Sequence, residues 1–150
     1  MLRTRLAAFA GLAVAFSTLG IANAGAAQDA ILHANLTGSQ ETPPNASPGT
    51  GSADVFVDAD TNMVCVLYSF QNLTTPAVAA HIHEAPPGVA GPIRIPFPTP
   101  PRATSGSDFF CTTAAPDVLD RLTANPGGFY VNVHSTVFPG GEIRGQLANA

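Results

Sequence analysis

The sequence has no lysine and no tryptophan, only two cysteines and two tyrosines, and only 11% charged residues. Its six basic residues are all arginines. Arg3 and Arg5 open a stretch laid out like a secretory leader: the apolar run Leu6–Leu19 follows, then Ala22-Asn23-Ala24 as a small-x-small cleavage site. Residues 1–24 are therefore expected to be removed as a signal peptide, leaving 25–150 as a single exported domain. In that part four arginines face ten carboxylates, a net charge of −6. With no basic stripe to neutralise phosphates, nucleic acid is excluded as a partner, and an anionic membrane surface is disfavoured on the same ground. No run reaches the ~20 apolar residues of a membrane-spanning helix.

What the chain does contain is punctuation. All 14 prolines and 12 of the 14 glycines fall after residue 24, which leaves little room for long helices and predicts short elements separated by turns. Cys65 and Cys111 are an even pair in a chain bound for an oxidising compartment, so a disulfide between them is expected. Two lone cysteines offer no zinc-finger spacing.

Period-two alternation and turn residues predict strands at Ala30–Thr37, Ser52–Asp58, Met63–Gln71, Ala77–His83, Pro92–Phe97, Ser107–Thr113, Phe129–Ser135 and Glu142–Leu147. Gly38–Gly51 is turn chemistry throughout and is expected to be a long loop. One helix is predicted at Pro116–Leu122, with Pro116 at its first position and Asn125-Pro126-Gly127-Gly128 as its stop. The fold class is therefore all-β: an antiparallel Greek-key β-sandwich with one short helix.

The chain has four histidines: His33, His81, His83 and His134. His81 and His83 are two apart in a strand and share a face, with Ile82 turned to the core. In the last hairpin Val131, Val133, Ile143 and Leu147 take the core parity. Tyr130, Asn132 and His134, with Glu142, Arg144 and Gln146, then fall on the opposite face, expected to be the sheet's polar outer surface. If the His81–His83 strand lies beside this hairpin, His81, His83, Asn132, His134, Glu142 and Arg144 gather in one constellation. Imidazoles grouped in this way suit copper or zinc, with His81, His83 and His134 as the ligands. A polar sheet face held by cross-strand pairs requires no ligand at all, and both readings stand at this point. His33 has no partner motif and is read as structural. Asp54, Asp58 and Asp60 lack the glycine and terminal glutamate of a calcium-binding hand. There is no Gly-x-Ser-x-Gly elbow and no cysteine free to act as a nucleophile.

Four blocks together resemble the CHRD domain, the module named after chordin and found also as a single exported domain in bacteria. They are Leu36–Pro44 (LTGSQETPP), Ala79–His83 (AAHIH), Tyr130–His134 (YVNVH) and Pro139–Gly145 (PGGEIRG), in the family's order. The resemblance implies an all-β extracellular domain whose molecular role is mostly unassigned. The role expected here is that of a non-catalytic binding or structural module toward an extracellular protein or ligand. Chordin's growth-factor partner is not carried over, because the cysteine-rich modules that accompany the repeats there are absent. A fainter likeness links His81-Ile82-His83-Glu84 and the final Gly-Gly-x-x-Arg hairpin to the copper–zinc superoxide dismutases. That likeness implies a Greek-key sandwich and an affinity for copper. The zinc-loop histidines of that family have no counterpart here.

Overall fold

A computed structural model describes residues 29–150 of the chain. The proposed leader, residues 1–24, lies outside the described residues. The elements in order are β1 (Ala30–Thr37), β2 (Thr50–Asp58), β3 (Met63–Gln71), β4 (Ala77–Glu84), β5 (Ile93–Pro96), β6 (Gly106–Thr113), helix α1 (Pro116–Ala124), β7 (Phe129–Ser135), β8 (Ile143–Gln146) and the two-residue β9 (Ala148–Asn149). The all-β antiparallel reading with one short helix holds.

Hydrogen bonding runs unbroken through one sheet in the order β5-β4-β7-β8-β1-β2-β3-β6, with β9 continuing β8's path against β1. The sheet curls, so that the alternating apolar residues of its two halves share one core. Leu32, Val55, Val66 and Tyr68 from one half meet Ile82, Ile95, Val131 and Val133 from the other. Phe97, just past β5, bridges the halves, its ring 5.1 Å from Tyr68 and 4.9 Å from Phe110. Each such large side chain removed from water contributes about 1.5–3 kcal/mol, and that burial sets which strand parity faces inward.

Boundaries of β4, β5, β6 and β8 shift from expectation by one residue, and larger differences fall at the start of β2 and the end of the helix. The loop after β1 is shorter than predicted: a 3₁₀ turn occupies Gly38–Gln40, and β2 begins already at Thr50. Gly51 permits that early start. A Cβ there would stand 2.5 Å from the Ser69 carbonyl, so only glycine lets β2 and β3 close at this point. Helix α1 runs two residues beyond Leu122. Its inward face is Val118, Leu119 and Leu122. Arg121 bonds Asp117 one turn earlier and Glu84 at the end of β4, which docks the helix beside the β4–β5 hairpin.

The cysteines form the expected disulfide. Cys65 of β3 and Cys111 of β6 are direct cross-strand partners, with Cα atoms 4.0 Å apart. Both belong to the strand parity that faces away from the core. There they continue a row of paired outward residues, Ile31, Phe56, Cys65 and Cys111, across four strands.

Candidate metal centre

The candidate residues sit where β4, β7 and β8 lie side by side. Register places His81 opposite Asn132 and His83 opposite Tyr130, while Ala79 faces His134. Arg144 follows beyond Asn132, and Gln146 beyond Tyr130. His134 is thus the diagonal neighbour of His81, and the small side chain of Ala79 leaves room between the strands for the rings to meet. Ile82 points into the core, as the alternation requires.

One expectation is corrected here. The face carrying these residues is not the sheet's polar outer surface, because it too is buried: Asn132 and Arg144 are 1% exposed and His83 8%. Every residue of β7 is buried, on both faces of the strand. The cover is three loops, each tied down by polar atoms of the site. Arg144 donates to the carbonyls of Pro86 and Val89 and to the hydroxyl of Thr42. Gln146 donates to Ala85, and the Gly91 amide to the Tyr130 hydroxyl. The turn after β7 closes through His134 itself, whose Nδ1–H donates to the Pro139 carbonyl at 3.0 Å. Period-two patterning separates two faces of a strand, but it does not report which loops fold over one of them.

The three imidazoles converge. Their ligand atoms all lie within 4.8 Å of one another, and among the described residues no carboxylate or thiolate joins the group. His83 Nδ1–H donates to the Gly91 carbonyl at 2.8 Å. A carbonyl only accepts, so in the neutral rings of His83 and His134 the proton sits on Nδ1 and the lone pair on Nε2. His83 Nε2 is buried and has no hydrogen-bond partner. His134 Nε2 lies 3.0 Å from His81 Nδ1, which therefore donates to it. Orientation of imidazoles by backbone carbonyls on the far nitrogen is the arrangement that fixes tautomer and ring direction at metal sites. A tetrahedral centre with bonds of about 2.0–2.1 Å sets its nitrogens roughly 3.4 Å apart. The set, spanning up to 4.8 Å, meets that geometry with a contraction of at most about 1.4 Å at its widest pair.

Electrostatics keep the rings ready to ligate. Burial, with the neighbouring His134 and His83, depresses His81 to about 4. Burial likewise lowers His83 and His134. All three are neutral at pH 7; the Nε2 lone pair of His83 is free, while that of His134 accepts from His81 Nδ1–H. His83 stacks in parallel on Tyr130 at 4.8 Å, and the Arg144 guanidinium lies 3.4 Å from the centroid of the same ring. That stacking holds His83 in place and puts a buried cation beside the site.

Not every candidate joins this group. Glu142 precedes β8, and its carboxylate is taken up elsewhere, by the Ser47 hydroxyl at 2.6 Å and the Thr74 amide at 2.5 Å. Burial works against its charge, but hydrogen bonds from Ser135, Ser47 and Thr74 outweigh it and hold the carboxyl below its ordinary value. Glu142 fastens the loops before β2 and β4 to the β7–β8 turn and contributes no ligand. His33 pairs with Asp54 across β1–β2 at 2.7 Å, a cross-strand contact in keeping with its structural reading. Asp58 accepts from the Thr61 amide within the β2–β3 turn.

Three contributors were invisible from the sequence. Glu41, read as part of a loop, is buried against Gly141, and burial pushes its carboxyl up to about 7 despite the pull of Arg144. Gly91 and Pro139 act through backbone carbonyls, which carry no sequence signal beyond the Pro/Gly content of their loops. The pattern of Tyr130 placed it on the right face, but nothing in the sequence reported its stacking.

No curated protein and no solved structure matches the chain. A family model of the CHRD domain matches residues 32–147, a span that runs from β1 past β8 and holds both cysteines and all three converging histidines. The chain belongs to the CHRD-domain family.

Proposed function

We propose that the domain is an exported, non-catalytic binding module that holds one copper or zinc ion on His81, His83 and His134. The observation that carries this reading is the buried, unpartnered Nε2 of His83 within ligating reach of two other neutral imidazoles. A buried acceptor left without a partner costs about 1–3 kcal/mol, and an ion at this point removes that cost. Export is supported by the leader pattern of residues 1–24 and by the disulfide, which persists in oxidising compartments. A bound ion would supply a positive charge shared by β4 and β7, the two strands that carry its ligands.

The test is metal analysis of protein purified without a histidine tag, followed by titration with zinc or copper during thermal unfolding. One equivalent is expected to bind. Free metal at a hundredfold excess over Kd adds about 2.7 kcal/mol of stability. His81→Ala and His83→Ala are each expected to abolish uptake. No uptake by the wild-type protein overturns the metal reading. Copper-loaded protein is expected to dismute superoxide no faster than free-copper controls, and faster turnover overturns the non-catalytic reading.

A further inference from the structure

The cation beside the imidazoles bears on which ion the site selects. Arg144 is 1% exposed, and all of its hydrogen-bond acceptors are neutral: the Thr42 hydroxyl, the Val89 and Pro86 carbonyls and the Gln146 amide oxygen. Its charge is therefore not cancelled by an ion pair. Through their shared contact with Tyr130, the guanidinium carbon is no more than about 8 Å from the His83 ring centre. The carboxyl that faces it, Glu41, is pushed up to about 7 by burial, so it is protonated over most of the range below neutrality. The ligand set adds no compensating negative charge, since it consists of three imidazoles and no carboxylate or thiolate.

Resting on the metal reading above, we propose that this site selects monovalent copper, Cu(I), over Cu(II) and Zn(II). Three physical terms point the same way. Desolvation of an ion scales with the square of its charge, so a buried site penalises a divalent ion about four times as heavily as a monovalent one of equal size. The guanidinium repels each unit of charge on the ion. At 8–10 Å and an effective dielectric constant of ~20, that is about a tenfold loss of affinity or more per added charge. Coordination number agrees as well. Cu(II) prefers four donors in a tetragonal plane, and Zn(II) fills a fourth position with water, whereas Cu(I) is satisfied by three.

The experiment measures Cu(I) affinity by competition with a chromophoric chelator under anaerobic, reducing conditions, and Cu(II) and Zn(II) affinities by parallel competitions. The untagged exported domain is used throughout. Cu(I) is expected to bind more tightly than either divalent ion. One equivalent of Zn(II) or Cu(II) held as tightly as Cu(I), or more so, overturns this selectivity and leaves the metal reading standing. Failure of all three ions to bind overturns the metal reading itself. Arg144→Met keeps the apolar stem and removes the charge, and is expected to lower the Cu(I)-to-Zn(II) affinity ratio about tenfold. An unchanged ratio overturns the role of the guanidinium. Should Arg144→Met fail to fold, Glu41→Gln tests the same field with a near-isosteric change. At pH 8.5 it removes a carboxylate and is expected to raise the ratio several-fold, and no rise counts against the charge argument.

Discussion

Adding one methyl group at Gly91 separates ring orientation from mere proximity of the histidines. Gly91 sits in the β4–β5 connection, where the Glu84 amide already bonds the Pro92 carbonyl. A Cβ at Gly91 would stand 2.1 Å from the Glu84 carbonyl oxygen and 2.7 Å from the Ala85 Cβ. The first of these partners is backbone and cannot swing away. Restoring an ordinary contact near 3.4 Å moves the loop by more than 1 Å, and the same residue's carbonyl is the acceptor for His83 Nδ1–H at 2.8 Å. Displaced that far, the bond lies beyond hydrogen-bonding range. Losing it costs about 1 kcal/mol, and the stranded ring N–H adds about 1–3 kcal/mol more. The expected destabilisation of Gly91→Ala is therefore about 2–4 kcal/mol by urea unfolding of the metal-free protein. Loss of the orienting partner should also weaken metal affinity about 10–100-fold. Gly88→Ala in the same loop is the control. At its φ of +76° alanine is strained by about 1 kcal/mol, but nothing lies within 4 Å of the added methyl, so metal affinity should not change. A Gly91→Ala protein that loses stability yet binds metal as tightly as wild type would refute the claim that the carbonyl aims His83 at the ion.

Two further outcomes follow from the charges and the disulfide. The depressed His81, at about 4, makes the unfolded chain bind more protons than the folded one between about 6.5 and 4, so this histidine costs stability as the pH falls through that window. Glu41, raised from 4.5 to about 7, acts in the opposite sense, its contribution declining as the pH rises from 4.5 to 7. Metal-free Glu41→Gln should therefore lose more stability than wild type between pH 7 and pH 5, by roughly 1–2 kcal/mol. Parallel unfolding curves at the two pH values would contradict that assignment. Replacing both Cys65 and Cys111 by serine opens a loop of 46 residues and should cost about 4 kcal/mol by the chain-entropy relation. Metal affinity should be retained, because β3 and β6 lie in the opposite half of the sheet order from β4 and β7. A parallel loss of metal affinity in isothermal titration would show that the two halves are coupled.

Much of the scaffold was legible because its signals are local. The alternation in Met63–Gln71 and Phe129–Ser135 and the Pro116 start of the helix each depend on residues within a few positions of one another, and each element lies where the pattern put it. Parity put His81 and His83 on one face and His134 on the matching face of its own strand, but the pairing of β4 with β7 was only a condition of that reading, and the register met it. Parity failed at Glu142. It lies just outside β8, where backbone direction no longer obeys the strand rule, and its carboxylate is drawn off by Ser47 and Thr74, far away in sequence. The same limit hid Glu41, which lies in turn chemistry and is buried only because Gly141 lets the β7–β8 turn close over it.

The sequence by itself, poor in charge and free of lysine, determined an acidic, proline-punctuated all-β chain with paired cysteines and a His-x-His strand, because composition and period two are properties of neighbouring residues. Only the tertiary structure decided that the histidine face is covered. Burial there depends on loops around Thr42, Pro86–Gly91 and Pro139 folding onto strands distant in sequence, and on their carbonyls meeting Arg144, His83 and His134. That cover turns three imidazoles expected at the surface into neutral, oriented and partly desolvated rings, the set proposed to hold an ion. The physical reason is that dielectric, tautomer and pKa are set by what surrounds a side chain in space.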